Sequence, residues 1–332
     1  MKKLIATVLV ALTAIEFVSA APTVTDINAK QRYPWNGLVD ITCKVSGVDS
    51  EGNRYQFVMV AIDKDSGQEC TASHFSVVQE GEDFSDYIVF EDGTYKLLWD
   101  ARTDLGQIVC DKMTVRVTLE AIALSSGKVQ LWEGGPYWAD RNIGADNPWD
   151  SGLYFWWGDT KGHYPSGKTF DFSFEESNCR TAGKDIEYLQ SKGWVTSDYA
   201  LTPRHDAAHV KWGGGWRMPT FQEVNDLCYN KCDWTWTSMN GVNGYIVRGR
   251  GAYASNSIFL PCSGYGKGTS IKDLNTQRST GGYYWSSCTL RKNPYDAYNL
   301  LLGIVYGNSF GPNYHNTNAD TRYKGFSIRP VQ

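Results

Sequence analysis

The chain has 332 residues, room for two ordinary domains, with 20% charged and 42% hydrophobic residues, the balance of folded material rather than disorder. A formal charge of −4, with no long Lys/Arg cluster, excludes the positive field that phosphate binding needs, so nucleic acid is not an expected partner. Gly is 33 and Pro only 11, a mix that suits short strands and many turns.

Residues 1–20 have the order of a secretory signal peptide. Lys2 and Lys3 are the charged start, Leu4 to Ile15 is an apolar run too short to span a bilayer, and Val18-Ser19-Ala20 puts small residues before the cut. The reading predicts an exported protein, periplasmic, cell-surface or extracellular, with no membrane span. A mature chain of 312 residues then starts at Ala21 and carries a charge of −5, since Lys2, Lys3 and Glu16 leave with the leader. Eight cysteines remain: Cys43, Cys70, Cys110, Cys179, Cys228, Cys232, Cys262 and Cys288. Export permits disulfides, and Cys262 with Cys288 is the candidate pair because both fall on late strands. Three cysteines precede residue 122 and five follow it, so either each part keeps a free thiol or one bridge joins the parts.

Residues 21–122 read as an all-β sandwich. Val24–Ala29, Leu38–Val45, Tyr55–Ile62, Phe75–Val78, Tyr87–Phe90, Tyr95–Trp99 and Met113–Ala121 are the expected strands, punctuated by turn signals such as Asp65 to Gly67 and Asp92-Gly93. The run Gly93-Thr94-Tyr95-Lys96-Leu97-Leu98-Trp99-Asp100-Ala101 resembles the last strands of immunoglobulin-like and fibronectin-III-like modules of exported bacterial proteins. Residues 123–128 form the expected linker.

Beyond the linker the character changes: eleven of the 13 Trp lie between residues 132 and 285, and regular helix is scarce. One helix is expected at Thr220, where Glu223 completes a capping-box spacing, and a shorter one over Asp206–Lys211 before Gly213-Gly214-Gly215. Strands follow at Trp234–Ser238, Tyr245–Arg248, Ile258–Leu260, Tyr283–Ser287, Tyr298–Val305 and Phe326–Pro330, the first two joined by the hairpin signal Asn240-Gly241. Six segments then carry a resemblance in a fixed order. They are Trp138-Ala139-Asp140-Arg141-Asn142-Ile143-Gly144-Ala145, Gly152-Leu153-Tyr154-Phe155-Trp156-Trp157-Gly158-Asp159-Thr160, Trp212-Gly213-Gly214-Gly215-Trp216-Arg217-Met218-Pro219-Thr220, Ser257-Ile258-Phe259-Leu260-Pro261, Tyr284-Trp285-Ser286-Ser287 and Gly325-Phe326-Ser327-Ile328-Arg329-Pro330-Val331. On these, residues 129–332 resemble the Fibrobacter succinogenes major paralogous domain family, whose fold is related to C-type lectins. The resemblance implies an α+β domain with short helices and abundant loops, and it supplies no reaction. It gives Trp216, Arg217, Pro219, Trp285 and Arg329 structural roles.

Several patterns suggest chemistry, and each has a plainer reading. Gly162 to Thr169 fits the P-loop spelling, yet Phe170-Asp171-Phe172-Ser173-Phe174 after it alternates like a strand, so a surface loop is expected. His205 with His209 and Cys228 with Cys232 imitate a Cys₂His₂ zinc set, but export favours disulfides and no metal is assigned. Asp63-Lys64-Asp65-Ser66-Gly67 starts like a calcium loop whose later glutamate is missing, and a hairpin turn is the expectation. No nucleophile constellation stands out and no active-site motif of formylglycine-generating oxidases surrounds Cys262 or Cys288, so no catalytic residue and no cofactor are assigned.

Residues 293–320 are the candidate recognition segment, with 13 of 28 residues Asn, Tyr, Asp or Ser. Tyr offers rigid amphipathic area and Asn adaptable hydrogen bonds, as in antibody loops. Tyr295, Tyr298, Asn299, Asn313, Tyr314, Asn316 and Asn318 are the candidate contacts with a glycan or protein ligand. The plainer reading is a strand pair with polar turns. The composition also resembles the variable region of retroelement-diversified receptors. Of the remaining aromatics, Trp156 is expected in the core, and Trp149, Trp194 and Tyr265 are the freer to be exposed. The expected function is non-catalytic binding or adhesion, with a diversified receptor, an oxidase relative and a structural envelope component as alternatives.

Overall fold

A computed structural model describes residues 22–34, 36–48, 54–79, 82–84, 88–89, 91–106, 112–122, 127–273, 279–305 and 314–332. Residues 1–20, read above as a signal peptide, and Cys110 and Asn313 lie outside them. Among the described residues strands make up 49% and helices 14%, in several small sheets with few short helices, consistent with an all-β or α+β class.

Among the described residues the first part has nine strands, β1 (Thr23–Gln31), β2 (Leu38–Ser46), β3 (Arg54–Asp63), β4 (Glu69–Ala72), β5 (Phe75–Gln79), β6 (Glu82–Phe84), β7 (Ile88–Val89), β8 (Gly93–Asp100) and β9 (Met113–Ile122), with helix α1 (Ala101–Leu105) after β8. One antiparallel sheet has the order β1-β2-β8-β5-β6; in the other, β3 pairs with β9 along its whole length and with β4 and β7 over parts of it. The period-2 pattern of the sequence decides what is buried: Val39, Ile41, Cys43 and Val45 of β2, Tyr95, Leu97 and Trp99 of β8, and Tyr55, Phe57, Met59 and Ala61 of β3 meet in one core. Strands β4 and β6 were not anticipated, because Glu69-Cys70-Thr71-Ala72 and Glu82-Asp83-Phe84 are short and lack a run of β-branched residues. Asp63 Oδ1 accepts from the backbone N–H of Asp65 and Ser66 at 2.9 and 2.8 Å, so the calcium-like spelling is an Asx-type turn between β3 and β4.

The second part contains β10 (Lys128–Gln130), β11 (Tyr137–Ala139), β12 (Thr169–Phe174), α2 (Ile186–Ser191), α3 (Ala207–Trp212), α4 (Phe221–Asn225), β13 (Cys232–Met239), β14 (Val242–Gly249), β15 (Ser257–Pro261), β16 (Tyr265–Lys272), β17 (Ser279–Thr289), β18 (Asp296–Val305) and β19 (Tyr314–Thr321). Its beginning and end are tied together. Tyr137 and Gln332 exchange backbone hydrogen bonds at 2.9 and 2.8 Å, and Arg217 and Val331 do the same. Gly127 and Lys128, expected as linker, already belong here: Gly127 O accepts from Asp140 N, and Lys128 pairs with Ala139. At Asn240 and Gly241 the chain turns with positive φ at both positions, the geometry that Asn-Gly favours between β13 and β14.

The sheet β17-β18-β19 has a core on each face. Tyr284, Leu300 and Leu302 face one that also holds Leu227, Cys228, Tyr245 and Leu260, while Trp285 and Ala297 face another built on Trp157, Trp216 and Phe326. Helix α4 begins as its sequence dictates. Thr220 and Glu223 form a complete capping box, and Arg217 grips both Glu223 carboxylate oxygens at 2.8 and 2.6 Å. The helix then widens into a π-turn over Asp226–Lys231. Helix α3 starts just after the expected Asp206, which caps it instead, accepting from the Ala208 and His209 N–H groups. This helix belongs to two cores at once, because Ala207 and Ala208 pack in the second part while Val210 packs in the core of the first.

Candidate recognition face

The pleat of β18 separates the expected contact residues. Tyr298 points to the α4 side, its ring 4.3 Å from that of Phe221. Asn299 points to the opposite side and is 1% exposed. The two cannot share a face, and Asn299 is no surface contact, because successive residues of a strand alternate. Tyr295, 43% exposed, precedes β18 and lies against Gly183, away from both. Tyr314, Asn316 and Asn318 are half-buried and alternate along β19, so they do share a face. The Asn316 amide donates to the Tyr314 hydroxyl at 3.1 Å and accepts from the Tyr229 hydroxyl of the π-turn.

Register extends that face across the sheet. Directly opposed residues of antiparallel strands lie on one side. Asn316 opposes Leu301, which opposes Tyr283; Asn318 opposes Asn299, which opposes Trp285; Asp320 opposes Ala297. Phe326 stacks on Trp285 with ring centroids 4.1 Å apart and covers that end. Along the side, Tyr265 of β16 meets Tyr283 edge-on at 4.8 Å, and Tyr323 packs against the same core. The Tyr283 hydroxyl donates to Asp273 Oδ2 at 2.8 Å. Lys324 sits 5.0 Å over the ring of Tyr265 and pairs with Asp320 at 2.7 Å. Burial pushes the phenol of Tyr283 up, and the Asp273 carboxylate adds to it; Tyr265 is raised by burial and then by Asp273 and Asp320. The same causes, burial and then Asp320, raise Asp296. The result is a shelf of phenol rings, amides and carboxylates.

Of the shelf, sequence reasoning named Asn299, Tyr314, Asn316 and Asn318 and noted Tyr265. It missed Asp273, Tyr283, Tyr323 and Lys324, which come from three separate segments, while Asp320 closes the candidate segment 293–320. The spacing of Asp320 and Lys324 was the one local signal for part of it.

The structural motif residues other than Arg217 are deeply seated. Trp216 and Trp285 are buried, and the Trp285 indole donates to Phe155 O at 2.8 Å. Pro219 O accepts from Ser287 N at 2.8 Å. Arg329 donates to Asn142 Oδ1, Ala139 O and Phe259 O at 2.8–3.1 Å without a carboxylate partner among those contacts, and burial lowers it to about 10. A second such arginine went unread in the sequence. Arg322 is buried, lies 5.1 Å over Trp157, and donates to Asp296 O, Thr181 O, Lys184 O, Thr289 Oγ1 and Asn293 O. Burial lowers it too, to about 10. It locks the loop before β18 to the turn that supports Tyr295.

Other constellations resolve into packing. All seven described cysteines are free thiols, so the expected Cys262–Cys288 bridge is not formed. The reason is distance along one strand. Gly282 lies against Cys262, and Cys288 is six residues further on, roughly 20 Å at strand rise, far beyond disulfide reach. Burial pushes the Cys262 thiol up to about 12, the reverse of an activated nucleophile. His205 stacks on Trp194 at 4.0 Å, which buries the Trp194 expected as freer, while Cys228 and Cys232 sit in a separate core. Among the described residues no three potential ligands gather for a metal. Gly162 to Thr169 runs into β12, not a helix, so it cannot cradle phosphate as a P-loop does. Ser73, His74 and Asp104 come together, but both Ser73 Oγ and Asp104 Oδ1 meet the same nitrogen of His74, at 3.1 and 2.7 Å. A relay needs the two ring nitrogens for two different partners, so this is a knot that ties α1 to the β4–β5 turn.

No family model, curated protein or solved structure matches the chain.

Proposed function

We propose that the chain is an exported, non-catalytic binding protein in which an immunoglobulin- or fibronectin-III-like β unit carries a C-type lectin-like domain, and that the domain presents the β17-β18-β19 shelf to a glycan or protein ligand. One observation carries this reading: register gathers Leu301, Asn316 and Asn318 into a single half-exposed surface flanked by Tyr265, Tyr283 and Tyr314. Phenol rings present flat area at little entropic cost, and side-chain amides offer donor and acceptor side by side, the combination that polar ligand recognition uses. The roles of Arg322 and Arg329 fit it, since buried guanidinium groups that bond backbone carbonyls hold loops rigidly.

The test is a glycan array together with a pull-down, using residues 21–332. Replacing Tyr314, Asn316 and Asn318 with Ala should abolish capture and leave the melting temperature within a few degrees. Unchanged capture by the folded triple variant overturns the face, and a chain that captures neither glycan nor protein overturns the binding reading.

A further inference from the structure

Among the described residues, Asn299 is the one with two buried polar atoms that lack a hydrogen-bond partner, its amide oxygen and its amide nitrogen. Burying an amide unbonded costs free energy that an apolar side chain of similar shape avoids, so stability of the fold gives no reason for an Asn here. Register puts it at the inner end of the shelf. On its side of β18, Ala297 before it is buried and Leu301 after it is half-buried, so the amide stands where the open part of the face meets the core. Across the ladder it directly opposes Asn318, a pairing that sets the two Cβ atoms about 5 Å apart. Asn318 is half-buried, and its amide makes no hydrogen bond among the described residues, to Asn299 or to another group. Asn316, on the same face, shows the contrast: its amide donates to the Tyr314 hydroxyl and accepts from that of Tyr229. Two amides therefore stand side by side, one buried and one at the rim, and neither uses the other. The charge next to them is already matched, since Asp320 pairs with Lys324 at 2.7 Å, so what they await is neutral.

We propose that Asn299, reached past Asn318, is the specificity contact for a saccharide and grips two adjacent hydroxyls of a pyranose ring. The proposal rests on the binding reading above and names the ligand class recognised there. A side-chain amide holds its acceptor and its donors on one edge of a plane. Adjacent ring hydroxyls match that edge, one O–H donating to Oδ1 and the other oxygen accepting from Nδ2. The N–H and C=O of a peptide unit point in opposite directions, so one unit of protein main chain cannot satisfy both atoms of the amide. Asn318 gives way at no cost in lost hydrogen bonds and adds its own donor and acceptor beside the sugar. Leu301 and Tyr283, directly opposed and next on the same face, offer an apolar rest for the C–H side of the ring. Asn299 thus acts not as a contact on the free surface but as an unpaired group held in reserve, whose lost hydrogen bonds the ligand restores.

The experiment is an NMR titration of residues 21–332 with the methyl glycosides of glucose, mannose and galactose, with cyclohexanol as a ring bearing a single hydroxyl and propionamide as a mimic of a protein side-chain amide. The side-chain NH₂ signals of Asn299, assigned by their loss in Asn299→Leu, report on the site itself. At least one glycoside should bind saturably and move those signals, and Asn299→Leu should weaken it about tenfold or more while melting no lower than wild type. Asn299→Ala serves as the second variant should leucine not fit. Four results overturn the proposal: no glycoside binds saturably; a folded variant binds glycoside as wild type does, the behaviour of an amide that merely holds internal water; cyclohexanol binds as well as the glycosides; or propionamide binds more tightly than all of them, which assigns the amide to a protein partner. The binding reading survives each of these if the wild-type chain still captures a glycan or protein and the β19 triple variant does not.

Discussion

Lys211 gives a sharp handle on the packing around α3. It lies on α3 next to Val210, 8% exposed, and burial lowers it from 10.5 to about 8. A lysine whose folded pKa falls below its unfolded value is protonated more readily by the unfolded chain. It therefore costs stability below about pH 8 and ceases to cost anything above about pH 10.5. Between those limits the penalty relieved is about 3 kcal/mol, at roughly 1.4 kcal/mol for each tenfold change in proton affinity. Wild type alone would not show the alkaline end cleanly, because the buried phenols of Tyr154, Tyr245, Tyr283 and Tyr284, all raised by burial above the ordinary value of 10.0, begin to cost the fold stability from about pH 10 upward. Comparison with Lys211→Met cancels them. Thermal melts of both proteins from pH 7 to 10.5 should find the variant more stable by about 3 kcal/mol at neutral pH, an offset of roughly 5–10 °C, shrinking toward zero at the alkaline end. A difference that does not change with pH would refute the assignment of Lys211 as a buried cation on α3.

Two further outcomes follow from buried polar groups. Asn299 has neither amide atom bonded, so Asn299→Leu should raise stability by about 1–3 kcal/mol in a denaturant melt; a loss of similar size would mean the amide is satisfied after all. Arg322→Met leaves Lys184 O without its guanidinium donor and takes one donor from Thr181 O and Asp296 O, which keep Lys184 N and Thr289 Oγ1; it should cost about 3–5 kcal/mol, while an unaffected midpoint would dismiss Arg322 as the clasp of these loops.

Local rules read well in this sequence wherever the physics was local. The strands of the first part follow period-2 alternation, Asn240-Gly241 turns where it should, and Thr220 and Glu223 close their box. What escaped was set by distant partners. Nothing near Arg322 in sequence says that its guanidinium will reach Thr181 and Lys184, some 140 residues earlier. Asn299 resembled its neighbours in composition, yet the pleat turned it into the protein beside Trp285. The pairing of Cys262 with Cys288 failed for the same reason. Late segments carry both, and only the approach of Gly282 to Cys262 shows that the two thiols sit near opposite ends of β17.

Helix α3 is six residues long and yet serves as a rivet through two layers, with Ala207 and Ala208 seated on one side and Val210 on the other, and with Arg204 reaching Glu91 at 3.5 Å just before it. A protein fastened this way is not a string of interchangeable beads. Grafting the shelf onto a different carrier would bare Val210, and the transplant would need a new apolar cushion before it could fold as the parent does.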